Sequence, residues 1–111
     1  MNNLRNNVQL IGRLGIDPQV RNFDSGKKMV TFSLATNETY YNNKGEKVND
    51  TQWHNIVVWG KKADVAEQYL RKGSEVAVQG KLVNRSYETN GEKKFITEIN
   101  LNELLMLDKK D

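Results

Sequence analysis

Cysteine is absent from the 111 residues and histidine occurs once. A disulfide framework is therefore excluded, and so is a zinc or iron–sulfur site, for which the chain holds no ligand set. Both absences fit a reducing, intracellular setting. No stretch approaches the roughly 18 apolar residues of a membrane span, and Met1-Asn2-Asn3-Leu4-Arg5-Asn6-Asn7 lacks the apolar run of a signal peptide. The expectation is a soluble, cytoplasmic protein with no membrane partner. Three Asn-x-Ser/Thr triplets, at Asn37, Asn49 and Asn84, carry no weight without a secretory route. There is no internal repeat, linker or low-complexity tract.

What is present fills one domain. With 37% apolar residues the chain can build one modest core. Residues 1–107 are read as that domain, with a short charged end at 108–111. A second, catalytic domain has no room. The net charge of +3 and an isoelectric point near 9.2 favour a polyanionic partner without demanding one.

Strand-period alternation dominates, interrupted by one helical segment. Val8, Leu10, Gly12 and Leu14 share one face of the first segment and Gln9, Ile11 and Arg13 the other, until Asp17-Pro18 breaks it. An extension through Phe23 and a turn at Asp24-Ser25-Gly26 lead into a half-buried strand, Met29 to Thr36, with Val30, Phe32 and Leu34 inward. Asn37 to Asp50 is polar and holds an Asn42-Asn43-Lys44-Gly45 turn signal, so it reads as a projecting hairpin. Thr51 to Trp59 is the third strand. Lys61 to Arg71 reads as a helix burying Val65, Ala66, Tyr69 and Leu70, closed by a left-handed Gly73. Two strands follow, Glu75 to Tyr87 with Val76, Val78, Gly80 and Leu82 inward, and Lys93 to about Leu107 with Phe95, Thr97, Ile99 and Leu101 inward, joined at Thr89-Asn90-Gly91. Five strands with one short helix between the third and fourth is the element order of the OB-fold, a mostly β, Greek-key barrel that binds oligonucleotides across one face.

Side chains two residues apart on a strand point the same way. Trp53, Asn55, Val57 and Trp59 therefore share a face opposite His54, Ile56 and Val58, which leaves both tryptophans outside the core unless a bulge returns one or both to it. Exposed tryptophans need a reason. Tyr40 in the hairpin and Tyr87 on the polar face of the fourth strand join them, interleaved with Lys61, Lys62, Arg71, Lys72, Lys81 and Arg85, and with Arg5 near the start. Aromatic platforms beside basic residues suit a single nucleic-acid strand, since every base has a π-face and every nucleotide a charge; stacking contributes about 1–3 kcal/mol per base.

At this point the ordered motifs resemble the bacterial single-stranded DNA-binding protein family over nearly the whole chain. They are Asn7-Val8-Gln9-Leu10-Ile11-Gly12-Arg13-Leu14-Gly15-Ile16-Asp17-Pro18, Ser33-Leu34-Ala35-Thr36, Trp53-His54, Trp59-Gly60-Lys61 and Tyr69-Leu70-Arg71-Lys72-Gly73. The resemblance implies that Tyr40, Trp53, Trp59 and Tyr87 stack bases where the family uses three tryptophans and a phenylalanine. Only Trp53 keeps the usual identity. The basic residues Arg5, Lys61, Lys62, Arg71, Lys72, Lys81 and Arg85 are expected to supply the phosphate contacts, while Asn55 stands where a basic residue is common in the family. The resemblance further implies a homotetramer with His54 in the subunit interface, no cofactor, and a role on strands exposed in replication, recombination and repair, near the nucleoid. The family's Gly/Pro/Gln-rich tail and acidic tip do not follow Asp111, in a chain that is either naturally short or trimmed, so recruitment of replication and repair enzymes through that tip is not asserted.

Four other readings compete with this one. An OB-fold nuclease needs clustered carboxylates on the binding face, and the derived face carries none; the chain is read as no enzyme. Gly12-Arg13-Leu14-Gly15 has the pattern of a KH-type loop but follows a strand and precedes Asp-Pro, so it reads as a strand-end turn. A primosomal replication protein on the same fold usually lacks the full aromatic set, and an oligomerisation or scaffold domain would use the aromatics as a protein interface. Tryptophan fluorescence with oligo(dT) separates that last reading from the nucleic-acid one.

Overall fold

The computed structural model describes residues 5–107; the charged end at 108–111 lies outside the described residues. Six strands and one helix follow in the order β1 (Val8–Leu14), β2 (Gln19–Asn22), β3 (Lys28–Tyr41), β4 (Lys47–Trp59), α1 (Lys61–Tyr69), β5 (Glu75–Thr89) and β6 (Glu92–Met106). Five of the strands close on themselves. The order β1-β5-β6-β4-β3 returns to β1 through Arg13↔Ala35 and Leu14↔Leu34, and β2 adds to the free side of β3. The barrel expected from the element order is thus present. The additional strand is the four-residue stretch read as an extension, which pairs Gln19↔Thr31 through Asn22↔Lys28.

Two glycines let the barrel close. A β-carbon at Gly12 would run into the carbonyl oxygen of Ala35, and one at Gly80 into that of Asn100. Here β1 crosses β3 and β5 crosses β6 at a separation that no side chain allows. Beside Gly80 the register shifts, Gln79↔Glu103 giving way to Gly80↔Leu101, so Asn102 is an extra residue in β6. This bulge explains why Leu104 packs against the core although it lies three residues from buried Leu101.

The core takes Leu14, Val30, Phe32, Leu34, Ile56, Val58, Val76, Val78, Ile99 and Leu101 from the barrel interior. The alternation expected for β1 and β3 is the one observed. The helix departs from expectation. Its buried stripe is Ala63 and Ala66, continued by Leu70 just beyond its end, while Val65 and Tyr69 face solvent. Small side chains let α1 sit close on β3 and β4, and a stripe that narrow leaves the flanking Val65 and Tyr69 outside. The helix also stops at Tyr69, with Leu70 extended, rather than at Arg71. Gly73 does have a left-handed φ of 89°, but it serves the turn after the helix, where its N–H donates to Leu14 O at 2.8 Å.

Past the barrel rim, both long hairpins continue as two-stranded ribbons. Asn37 to Asp50 is paired nearly to its tip, Tyr41↔Lys47, around a turn in which Asn42 Oδ1 accepts from the N–H groups of Lys44 and Glu46, both at 2.9 Å. The other ribbon runs to Thr89↔Glu92 around Asn90-Gly91, both at positive φ, the two-residue hairpin turn for which Asn-Gly is suited. Leu82, Phe95 and Thr97, expected inward, are exposed here. Their parity is that of the core, but the ribbon has left the barrel and no layer covers it.

Candidate functional site

The outer face of β4 carries Trp53, Asn55, Val57 and Trp59. Register sets them beside Ala35, Ser33, Thr31 and Met29 of β3. On the other side β4 meets β6 in parallel, Val57↔Asn100, and β6 brings Glu98 and Ile96 next to Val83 and Arg85 of β5. The result is a trough across the barrel with Thr31, Val57, Glu98, Asn100, Val83 and Arg85 along its floor, continuous through two hollows of about 510 and 380 Å³. No bulge interrupts β4. Both tryptophans stay outside the core, Trp53 61% and Trp59 45% exposed, while Val57 between them is buried.

The two indoles are braced differently. The six-membered ring of Trp53 lies so close to Gly15 that a β-carbon there would overlap it. Gly15 is itself pinned by its N–H to Ser33 O at 3.0 Å. Trp59 stacks on Phe23, ring centres 5.7 Å apart and planes 24° from parallel, and the Arg21 guanidinium covers the same phenylalanine at 5.1 Å. A wider recess of about 820 Å³ opens beside this stack, lined among others by Phe23, Lys27, Lys28, Trp59 and Lys61. Phe23 and Arg21 were missed by the sequence reading. Arg21 lies on β2 and Phe23 just past its end, and their place beside Trp59 depends on the pairing of β2 with β3.

Tyr40 and Tyr87 stand on the ribbons, 51% and 43% exposed. Tyr87 shares the parity of Lys81, Val83 and Arg85, which is the trough side of β5. Tyr40 pairs with Val48 and belongs to the parity of Leu34 and His54, opposite that of Trp53. Three of the four aromatics therefore share the trough face and the fourth lies round the edge of the β3–β4 ribbon. His54, half-buried on that other face, places Nε2 3.0 Å from Thr36 Oγ1.

The basic residues are less concentrated than expected. Arg85 lines the trough but is held by Glu98, Nε to Oε1 at 2.8 Å and Nη2 to Oε2 at 3.0 Å; the contact pushes the guanidinium pKa further up. Arg71 Nη1 donates to the carbonyls of Glu67 and Leu70 at 3.0 and 2.6 Å, an end cap for the helix. Lys62 Nζ lies 3.6 Å from Glu103. The backbone N–H of Lys72 donates to Asp17 Oδ1 at 2.7 Å, leaving its exposed side chain outward. Lys28 is bound to Asp64 and Glu67, whose hydrogen bonds hold its ammonium above the usual lysine range. Lys61 borders the recess beside Trp59, and Arg5 and Lys81 are exposed.

One sequence-based expectation fails here. The trough face is not free of carboxylates, because Glu98 is on its floor, 9% exposed. It faces Arg85 as a diagonal neighbour, the register being Val83↔Glu98 and Arg85↔Ile96. A single carboxylate locked to a guanidinium is no metal-binding pair, and among the described residues no three His, Cys, Asp or Glu side chains gather as a metal site. No helix among them is long and apolar enough to cross a membrane.

Comparison with known proteins gives a consistent picture. Residues 5–107 match the model of the single-strand binding protein family. Over 108 residues the sequence is 46% identical to single-stranded DNA-binding protein 1 of Chlorobaculum tepidum, covering 96% of this chain and 67% of the relative. Over 103 residues it is 43% identical to the single-stranded DNA-binding protein of Neisseria meningitidis serogroup A, covering 92% of this chain and 59% of that relative. The chain thus spans only part of the length of these curated relatives. Its fold is similar to that of a Plasmodium falciparum SSB solved in complex with ssDNA, with a TM-score of 0.86 at 43% identity, covering 97% of this chain and all of the other. A deletion mutant of the single-stranded DNA binding protein from Thermus aquaticus superposes with a TM-score of 0.82 at 27% identity, over 93% of this chain and 50% of that one.

Proposed function

Because this chain belongs to the single-strand binding protein family, we propose that it binds single-stranded DNA without sequence preference, shielding strands exposed during replication, recombination and repair. The observation that carries the reading is the pair of exposed tryptophans on one face of β4, at opposite ends of a trough that also holds Arg21 and Arg85. Six residue-to-residue steps of strand separate them, about 20 Å at 3.3 Å per step. An extended strand lying in the trough meets a flat hydrophobic surface at each end. Tyr87 extends the stacking surface along the β5–β6 ribbon, and Tyr40 takes a strand that turns round the β3–β4 ribbon. Stacking does not read base edges, so the binding is indifferent to sequence.

Phosphate contacts come from Lys61, Lys72, Lys81 and Arg5, with Arg21 added from the trough; Lys62, Arg71 and Arg85 contribute less because each is already engaged. The protein acts as a binder, without a reaction or a cofactor of its own, in the cytoplasm at the nucleoid. It works as a homotetramer. Support for assembly comes from Ile11, Ala77 and Leu105, which form one cross-strand row on the outer surface of β1, β5 and β6, with Ile11 and Leu105 well exposed. His54 serves the interface from the opposite side of β4 to Trp53.

The test is a titration with oligo(dT) at two salt concentrations while tryptophan emission is followed. Saturable quenching that weakens with salt, at a slope of about 0.7 per phosphate neutralised, is expected. Unchanged emission would place the tryptophans in a protein interface and leave the scaffold reading standing.

A further inference from the structure

A groove for a polyanion should not contain a carboxylate, yet Glu98 lies on the floor of this one. Among the residues lining the trough it is the one acidic side chain. It is also the only charged residue among the described ones to be buried. Its two oxygens take the Nε and Nη2 edge of Arg85 side-on. Burial of a lone carboxylate is costly, and a bidentate arginine is what makes it tolerable. The guanidinium, more than half exposed, stays anchored to the floor.

We infer that Glu98 limits the affinity of the trough, because by engaging Arg85 it withholds one positive charge from the phosphates of a bound strand. The inference rests on the function proposed above. An arginine with no acidic partner neutralises a phosphate of the bound strand, which then sheds the cations condensed on it, and binding gains that counterion term. Arg85 has a permanent anion instead, held at 2.8 and 3.0 Å by the fold. A phosphate that approaches it meets a pair of nearly zero net charge, and beyond it the Glu98 carboxylate. Arg85 can still donate its remaining N–H groups outward, so the contact is directional, but it adds little to the salt-dependent part of the affinity. Arg21, which the structure pairs with the face of Phe23 rather than with an acid, has no such restraint.

Glu98→Gln removes the charge and keeps the shape and one hydrogen bond to Arg85. The prediction is a salt slope for oligo(dT) steeper than wild type by about 0.7, equivalent to one more phosphate. In fold terms that is about fivefold tighter binding at 0.1 M salt, vanishing near 1 M. Adding Arg85→Gln to Glu98→Gln should abolish the gain, because it belongs to the released guanidinium. An unchanged or shallower slope in folded Glu98→Gln would overturn the inference and show Glu98 to be a buttress that positions Arg85 for phosphate. Wild-type protein titrated in parallel separates the two levels of the argument. Wild-type binding with quenching, without a gain in the variant, defeats the inference alone, whereas no wild-type binding defeats the function and the inference with it. If Glu98→Gln does not fold, the Arg85 Nε–H resonance of the wild type decides. Exchange protection retained with oligo(dT) bound supports an anchored guanidinium, and coupling to a phosphate phosphorus overturns it.

Discussion

The same four long strands build two different environments. Within the barrel, β3 to β6 follow the rule that alternate side chains are buried: Val30, Phe32 and Leu34 on one strand, Ile56 and Val58 on the next. Past the rim the alternation of pairs continues without interruption, but Leu82, Phe95, Tyr40 and Tyr87 stay exposed. Parity decides which way a side chain points, and only a covering layer decides whether it is buried. The proposed stacking set straddles the divide. Trp53 and Trp59 are fixed on the barrel wall by Gly15 and Phe23, whereas Tyr40 and Tyr87 ride on ribbons whose hydrogen bonds are open to water. Ribbons of that kind open at low free-energy cost, so the site joins two rigid platforms to two adjustable ones.

The strongest way to break this division is at the barrel centre. Ile56 is fully buried between Phe32 on β3 and Ile99 on β6. Ile56→Ala should cost about 2–5 kcal/mol of stability in urea unfolding. A cost under about 1 kcal/mol would mean that the barrel is not the cooperative unit. Next come the platforms. Trp53→Ala and Trp59→Ala should each weaken oligo(dT) binding by about 1–3 kcal/mol with little change in thermal midpoint, since neither indole is in the core. Loss of stability comparable to that of Ile56→Ala would place them with the barrel interior instead. A smaller effect is expected one step behind Trp59. Phe23→Leu keeps an apolar contact but removes the ring stack, and should cost about 0.5–1.5 kcal/mol of affinity while quenching at Trp53 persists.

The contrast also explains what the sequence made legible. The alternations around Val30, Leu34, Ile56 and Val78 repeat with period two and are enclosed on every side, so pattern and burial coincide. The parity of Trp53 and Trp59 was readable for the same reason. Leu82 and Phe95 obey the same period, and nothing local says where the barrel ends. Half of the helix stripe, Ala66 and Leu70, was legible; Val65 and Tyr69 were misplaced because Ala63 carries little hydrophobic signal beside them, although close approach to the sheet favours the smaller residue. The Arg85–Glu98 pair needed register, not pattern. That register follows from the Asn90-Gly91 turn: counting outward from a two-residue loop pairs Val83 with Glu98 and sets Arg85 on its diagonal. Phe23 on Trp59 had no such route, because it depends on β2 pairing with β3 across a turn of variable geometry.

The smallest expected effect is the sharpest test of the ribbon. Phe95 is 72% exposed and its visible partner is the ammonium of Lys93, 5.6 Å from the ring centre. The pair sits on the side of β6 away from the trough, at a residue whose cross-strand neighbour is Ser86. Phe95→Ser therefore removes a solvated cation–π contact and a ring that covers nothing. The change in unfolding free energy should stay within about 0.5 kcal/mol, because the ring is about as hydrated folded as unfolded. Backbone amides from Tyr87 to Phe95 should exchange faster than those of Ile56 to Val58 in both proteins. If Phe95→Ser proves costly, the dependence on protein concentration identifies the reason. A cost that shrinks on dilution means the ribbon packs against another subunit, which moves Phe95 from solvent to the assembly; a cost independent of concentration means the ribbon folds back on its own barrel and the division between rigid wall and adjustable arm is wrong.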